Sequence, residues 1–239
     1  MRIDTLFEDD DLIIVNKPAG VLVIPDRFDP NIASLNKLLE EQVKQKLYVV
    51  HRLDRDTSGV ICFAKNEATH KYLSKLFMER DVKKYYMALV TGRIHPPEGL
   101  IDRGIAEHPT IKGKMVITAK GKPSQTGYIV KEQWALYALV QLELHTGRTH
   151  QIRVHLQSIG NPVVADEVYG DGKPFFLSAI KKKYRLSEKE EAERPLLSRL
   201  ALHACRLEFV KEDGTAVKAE APLPKDMAAC VNQLNKWSR

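Results

Sequence analysis

The stretch His51–Ala64, HRLDRDTSGVICFA, decides how this chain is interpreted. Two arginines, two aspartates and a histidine fall within six consecutive positions, and TSG then leads into the apolar run VICFA. A short apolar run of this kind is typical of a buried strand. The stretch therefore predicts a strand whose entrance carries a high concentration of charge.

The rest of the chain shows helix and strand patterns in irregular order. Leu35, Leu38 and Leu39 open a run with 3–4 spacing that predicts a helix within 31–47. Asn66 is a candidate N-cap for a second helix. The other predicted elements are a strand–turn–strand over 11–25, a strand over 83–92, a strand, charged turn and short helix over 138–160, a mixed-charge helix over 181–193, a strand ending near 209 and a C-terminal helix over 224–237.

This order predicts an α+β fold with a mixed, largely antiparallel sheet, because a doubly wound parallel sheet would need even alternation. No internal repeat or low-complexity linker marks a boundary. We therefore expect residues 1–239 to form a single domain, folded as two lobes that flank a cleft.

Composition places the chain among ordinary globular proteins, with 239 residues of which 44% are hydrophobic and 28% charged. The net charge of +6 allows a polyanionic partner without requiring one. Cys62, Cys205 and Cys230 are far apart and form no CxxC pair, which favours a reducing compartment. The N-terminus is acidic and no apolar run approaches the ~20 residues of a membrane span, so we expect a cytoplasmic protein.

Metal and nucleotide cofactors are not indicated by the motifs. His145, His150 and His155 recur every five residues, which places neighbours ~140° apart around a helix, so they cannot share one face. Neither GxxxxGK[ST] nor GxGxxG occurs. We predict a chain that needs no cofactor and no metal.

Asp54 is the candidate reactive carboxylate in the charged stretch. Arg52 and Arg55 flank it, and Arg148 and Arg153 follow in a second basic motif; an arginine close by would keep the carboxylate ionised. The alternative from spacing alone is that Asp54 and Asp56 are turn or capping residues beside solvated arginines.

The motifs of this sequence resemble those of the RluA-type pseudouridine synthases. HRLDRDTSG at 51–59 matches the signature HRLDxxTSG of that family. The other matches follow in family order and extend the resemblance from about residue 8 to 224: NKPAGVLV at 16–23, KYYMALVTG at 84–92, LHTGRTHQIRVHLQSIGNPVVADEVYG at 144–170 and RLALHACRLEF at 199–209. The resemblance implies one catalytic domain of the pseudouridine synthase fold, in a minimal form without the N-terminal S4 domain.

The resemblance also assigns roles to four residues. Asp54 would act on the target nucleotide, Tyr86 would pack against the flipped uracil, and Arg153 would pair with Asp54. Arg52 would enter the RNA where the base has left. The substrate would be ribosomal RNA, transfer RNA or both, and the enzyme a monomer. His51 is expected to be structural, and Lys17 a possible cleft residue.

This chain departs from the family pattern in three places. Ala165 replaces a frequent glycine, so a turn that needs positive φ would have to differ. Ser124 stands where a small apolar residue is more usual. The charged insert 179–194 is interpreted as a solvated helix, with RNA contact through its lysines as the alternative.

Two other functional classes remain open. One is an RNA-binding or ribosome-assembly factor that acts without catalysis, although the presence of Asp54, Tyr86 and Arg153 argues against it. The other is a glycosidase- or nuclease-like enzyme with Asp54 and Asp56 as paired carboxylates, since residues two apart on a strand share a face.

Overall fold

The structure is a computed structural model that describes residues 1–26, 29, 31–186 and 191–238. Among these residues the strands are β1 (Asp4–Glu8), β2 (Leu12–Lys17), β3 (Tyr48–Val49), β4 (Ser58–Ala64), β5 (Lys83–Thr91), β6 (Glu98–Asp102), β7 (Ile105–Glu107), β8 (Met115–Ile117), β9 (Gln125–Gln133), β10 (Tyr137–Leu144), β11 (Leu202–Val210) and β12 (Ala216–Glu220). The helices are α1 (Leu35–Val43), α2 (Glu67–Glu79), α3 (Gln151–Ser158) and α4 (Lys225–Trp237), with a 3₁₀ turn at Leu177–Ala179.

The chain divides into two compact units. The first unit comprises Met1–Tyr86 and His203–Pro222, and the second comprises Met87–Leu202 and Leu223–Arg239. In the first unit β4 pairs antiparallel with β2 and β3 and parallel with β11, while β1 and β12 add to β2 and β11. In the second unit β9 pairs antiparallel with β10 and β6, and β7 and β8 form a separate hairpin.

The predicted α+β class with a mostly antiparallel sheet is thus confirmed. Every residue of β4 is buried, as its apolar run predicts. Its core neighbours include Leu12 and Ile14 of β2 and Leu73 of α2. Asn66 caps α2, because its side-chain Oδ1 accepts a hydrogen bond from the Thr69 amide at 2.8 Å.

The strand predicted after the turn at 17–20 does not form. Leu22 makes only an isolated bridge with Ser34. The carbonyls of Leu22 and Val23 instead accept hydrogen bonds from the amides of Leu35 and Asn36, at 2.8 and 3.1 Å. These amides belong to the first turn of α1, where no intrahelical acceptor exists, so this apolar segment satisfies a helix end rather than a sheet.

The helix predicted over 181–193 is also wrong for the residues described there. Residues 181–186 form a turn followed by irregular chain, and 187–190 lie outside the described residues. This segment offers no apolar stripe to bury, and packing of such a stripe supplies most helix stability in proteins. The C-terminal helix α4 does form, and Trp134 donates to Asn235 on it at 2.9 Å.

No helix among the described residues is long and apolar enough to cross a membrane.

Candidate active site

The loop between His51 and Thr57 leads into β4 and carries Asp54, which is half-buried. The Thr57 amide donates to the Asp54 carbonyl at 3.2 Å, so the charged residues form a turn rather than a strand. This turn removes the basis for treating Asp54 and Asp56 as same-face neighbours on a strand. Asp56 is exposed, unlike Asp54.

Hydrogen bonds from the Lys17 side chain hold this loop to the end of β2. Its side chain is completely buried, and its ammonium donates to the carbonyl oxygens of Pro18, Arg55 and Thr57 at 3.0, 2.8 and 2.8 Å. The Gly20 amide adds a bond to the Arg55 carbonyl at 2.9 Å. Lys17, considered only as a possible cleft residue, therefore ties the backbone that follows Asp54 to the end of β2.

The glycine of TSG allows the loop to join β4. Gly59 has φ +113°, and a Cβ at this position would lie 2.1 Å from the Ala204 carbonyl oxygen of β11. Just before it, Ser58 Oγ lies 2.9 Å from His203 Nδ1, and His203 Nε2 lies 3.3 Å from the Ala221 carbonyl. Since the carbonyl can only accept, Nε2 carries the proton and Ser58 donates to Nδ1. The motif residues Ser58 and Gly59 thus fix where the loop ends.

His51 is structural, as expected. Its Nε2 accepts a hydrogen bond from the Cys62 amide at 3.1 Å, and its ring stacks on Phe77 with centroids 4.5 Å apart. Burial, and after it the positive charge of Lys84, lowers the pKa of His51 to about 3. The ring stays neutral at physiological pH and cannot act as an acid there.

Tyr86 of β5 is buried and lies close enough to Asp54 to feel its charge. Along β5 the buried positions Lys84, Tyr86 and Ala88 alternate with more exposed ones, in the phase that the motif predicts. Burial, followed by the negative charge of Asp54, raises the pKa of Tyr86 above its usual range. Tyr85 lies on the other face, where the Arg206 guanidinium stacks 3.9 Å from its ring centre.

Arg52 is exposed and makes no hydrogen bond or ion pair with another residue in the described ranges. Arg55, in contrast, donates from Nε to the Gly20 carbonyl at 3.2 Å. Among the described residues, the guanidinium of Arg55 is therefore bound to a backbone carbonyl, whereas that of Arg52 is not.

Arg153 lies in the second unit on α3, and its partner there is a residue that the sequence analysis did not identify. Its Nε and Nη2 donate to the two carboxylate oxygens of Asp166, at 2.7 and 2.8 Å. Burial alone would raise the pKa of Asp166, but the hydrogen bonds and charge of Arg153, with the amides of Val168 and Tyr169, hold it below its usual value. The predicted pairing of Arg153 with Asp54 remains a prediction.

Asp166 is part of the motif VVADEVYG at 163–170, in which only Ala165 was considered above. Ala165 has φ +57°, so the turn keeps the left-handed conformation that a glycine would adopt more easily. The expectation that an alanine would force a different turn is therefore wrong. The backbone of this turn places the Asp166 carboxylate within reach of two of its own amides.

A buried polar network holds the turn before α3. Gln151 donates from its amide nitrogen to Thr126 Oγ1 at 2.9 Å, and its Oε1 accepts from Thr146 Oγ1 at 2.7 Å. His155 Nδ1 lies 2.9 Å from the same Thr126 hydroxyl. His150 contacts the Tyr169 hydroxyl at 3.0 Å, and His145 is exposed, so the three histidines have three different environments.

Among the residues that the structure describes, no group of three or more His, Cys, Asp or Glu side chains is arranged to hold a metal ion. The predictions of no metal and no cofactor are unaffected by this and stay predictions.

A family model described as RNA pseudouridylate synthase matches residues 11–158. The chain belongs to the RNA pseudouridylate synthase family. Curated relatives called ribosomal large subunit pseudouridine synthase D are 39% identical in Nitrosomonas europaea, 38% in Neisseria meningitidis serogroup B and 33% in Escherichia coli K12. The matches cover 95–96% of this chain but only 64%, 60% and 69% of those relatives, so it spans less than two thirds of the first two.

Two solved human structures share the pseudouridylate synthase fold with this chain. Human RNA pseudouridylate synthase domain containing 1 is 30% identical with a TM-score of 0.73, and covers 99% of this chain and 88% of its own. Human RNA pseudouridylate synthase domain containing 4 is 26% identical with a TM-score of 0.73, and covers 97% of this chain and 93% of its own.

Proposed function

We propose that this chain is an RNA pseudouridine synthase that isomerises uridines within a folded RNA. In this reaction the bond from uracil N1 to C1′ breaks and a bond from C5 to C1′ forms. The hydrogen on C5 leaves to solvent, and N1 takes up a proton. The product has the composition of the substrate, so the reaction itself consumes no metal, nucleotide or redox reagent.

The observation that carries this proposal is the placement of Asp54 in a family signature loop, half-buried beside Tyr86 and braced by Lys17. Nucleophilic or basic chemistry uses the ionised form of a carboxylate, and a nearby positive charge favours that form. Asp54 is the catalytic residue in the proposed reaction, and its carboxylate acts on the target nucleotide.

Arg153 is the proposed partner that keeps Asp54 ionised. Asp166 engages Nε and Nη2 of Arg153, while the guanidinium has further N–H donors on Nη1. We propose that this guanidinium also pairs with Asp54, as the family resemblance implies. Two carboxylates on one guanidinium are compatible because its planar fork can serve a partner on each edge.

Base flipping accounts for the other two proposed substrate-binding residues. A uridine in a stem or stacked loop must leave the stack before a carboxylate can reach it, at a cost of a few kcal/mol. The ring of Tyr86 would pack on the extruded uracil. Arg52, which is exposed and uncommitted, would fill the place that the base has left.

Large-subunit ribosomal RNA is the first substrate to test, because the curated relatives at 33–39% identity are called ribosomal large subunit pseudouridine synthase D. Transfer RNA remains the second candidate. The net charge of +6 suits either polyanion. We further propose a cytoplasmic monomer.

The test uses RNA transcripts labelled with tritium at uracil C5, because forming the C5–C1′ bond must release that hydrogen. Wild type, Asp54→Asn and, as a matched control, Asp56→Asn are each incubated with large-subunit ribosomal RNA and with transfer RNA. Release by wild type and Asp56→Asn, but not by Asp54→Asn, supports the proposed reaction and identifies the substrate class. Release by Asp54→Asn at the wild-type rate would refute the role of Asp54.

The binding-factor alternative has a different outcome in the same experiment. A protein that acts only by binding would release no tritium from either RNA, while wild type and Asp54→Asn would bind RNA with equal affinity. That pattern would overturn the enzyme assignment.

A further inference from the structure

The turn Ala165–Gly170 presents two side chains to Arg153. Asp166 binds the guanidinium edge through two hydrogen bonds of 2.7 and 2.8 Å. Three residues later, the ring centre of Tyr169 lies 5.1 Å from the guanidinium carbon of the same arginine. One short turn therefore supplies both a carboxylate and an aromatic ring to one guanidinium.

These two contacts restrict different motions of Arg153. The bidentate carboxylate fixes the guanidinium edge and the distance, but a fork–fork pair still tolerates tilting of one plane against the other. An aromatic ring attracts the cation and blocks the space into which the guanidinium would tilt. Because Tyr169 is 3% exposed, this attraction is little screened by water.

The Tyr169 ring is itself anchored through its hydroxyl. The oxygen accepts a hydrogen bond from the Met115 amide of β8 at 2.7 Å and lies 3.0 Å from Nδ1 of His150, the residue that precedes α3. Apolar packing adds to this anchoring, since Tyr169 shares a buried cluster with Ile105 of β7 and Val154 of α3. The ring is therefore held between the hairpin β7–β8 and the helix that carries Arg153.

We propose that Tyr169 is a positioning residue for Arg153, which its ring holds at a fixed tilt on the Asp166 carboxylate while its hydroxyl locks the ring to β8 and to the start of α3. The role rests on the proposed function, in which the Arg153 guanidinium acts on Asp54. Tyr169 does not touch the reacting atoms in this scheme. It acts only through the arginine.

Two variants of Tyr169 separate the ring from the hydroxyl, and a third variant elsewhere is their control. Tyr169→Leu removes both, and Tyr169→Phe keeps the ring. Tyr128→Leu is the matched control, because Tyr128 is a buried tyrosine of β9 in the same unit whose hydroxyl reaches the Pro96 carbonyl at 3.4 Å. If Tyr169→Leu does not fold, Tyr169→Met replaces it as a flexible apolar side chain without a ring face.

The kinetic readout is the single-turnover rate constant at saturating enzyme. RNA affinity is measured in parallel, and both are measured at a temperature below the unfolding transition of each variant. Tyr169→Leu is expected to lower the rate constant about ten-fold with RNA affinity retained, as loss of one desolvated cation–π contact implies. Tyr169→Phe should recover most of the rate, and Tyr128→Leu should lose stability alone. A folded Tyr169→Leu variant with the wild-type rate constant would overturn the proposal.

A second readout needs no RNA. In ¹⁵N-edited NMR spectra, the Arg153 Nε–H resonance is assigned by its disappearance in Arg153→Lys. Tyr169→Leu should remove the ring-current shift and speed exchange of this proton with solvent, while Tyr169→Phe and Tyr128→Leu keep both near wild type. Unchanged exchange in Tyr169→Leu would mean that Asp166 alone positions the guanidinium, even if no RNA substrate is turned over.

Discussion

The ammonium nitrogen of Lys17 lies 2.8 Å from the carbonyl oxygen of Thr57, so a completely buried lysine at the end of β2 holds the end of the loop that carries Asp54. The same ammonium also donates to the carbonyls of Pro18 and Arg55. An ammonium has three N–H donors, and this site provides three acceptors for them.

Replacing Lys17 with methionine should destabilise the protein, because the carbonyls of Pro18, Arg55 and Thr57 each lose the ammonium as a donor while the apolar stem is preserved. We expect the free energy of unfolding to fall by about 3 kcal/mol, as measured by urea titration. Lys37→Met is the control, since Lys37 is exposed and pairs with Glu40, one helix turn away; its effect should stay under about 0.5 kcal/mol. Equal unfolding midpoints for the two variants would contradict the bracing role.

The signature motif predicts which residues belong to the candidate site but not how the fold holds them. β4 and the Asn66 cap follow from local sequence, since an apolar run and a cap residue act over neighbouring positions. Lys17 and Thr57 are forty residues apart, and their bond exists only because β2 pairs with β4. Partners of this kind depend on sheet register, which one sequence does not specify.

The errors in the sequence analysis have a similar cause. The segment around Leu22 and Val23 has strand composition, yet its carbonyls serve the first turn of α1. Ala165, expected to force a different turn, adopts φ +57°, and this turn brings Asp166 to Arg153, which lies thirteen residues earlier in the chain. Local propensity describes what a segment can do, and tertiary contacts select among those possibilities.

The left-handed turn gives a prediction about stability. An alanine at φ +57° is strained relative to glycine, whereas a glycine in a strand only adds freedom to the unfolded chain. Ala165→Gly should therefore change the free energy of unfolding by less than about 0.5 kcal/mol, or raise it. Ala138→Gly, at a buried strand position of β10, should lower it by about 1–2 kcal/mol. Equal losses in the two variants would show that the turn is not strained.

The lowered pKa of His51 predicts how the free energy of unfolding depends on pH. Its pKa is lowered to about 3 in the folded protein, so between pH 6.5 and 3 the unfolded chain binds a proton that the folded chain does not. Acidification through this window must then lower the free energy of unfolding, by at most about 1.4 kcal/mol per pH unit. The contribution is fully present above pH 6.5.

Urea titrations across that pH window test this coupling. His51→Gln removes the titrating ring but keeps an acceptor for the Cys62 amide, so its stability should vary less between pH 6.5 and 4 than that of wild type. His145→Gln, at an exposed histidine, should follow the wild-type profile. Parallel profiles for wild type and His51→Gln would be inconsistent with a buried neutral imidazole at this position.

The two arginines beside Asp54 give the last prediction, which concerns base flipping. Arg52 is uncommitted, whereas Arg55 is bound to the Gly20 carbonyl. If Arg52 fills the gap left by the flipped uridine, Arg52→Ala should slow single-turnover isomerisation by about 10- to 100-fold on a structured RNA, because stacking is worth about 1–3 kcal/mol per base. Arg55→Ala should weaken RNA binding only slightly, as loss of one charge does.

The RNA itself supplies the deciding control for Arg52. A substrate whose target uridine lies in a mismatch needs less energy to flip, so it should restore the rate of Arg52→Ala toward that of wild type. A variant damaged in the chemical step would stay equally slow on both RNAs. Equal slowing on the paired and the mismatched substrate would therefore place Arg52 in the chemistry or in the fold of the loop, and not in the gap that the uridine leaves.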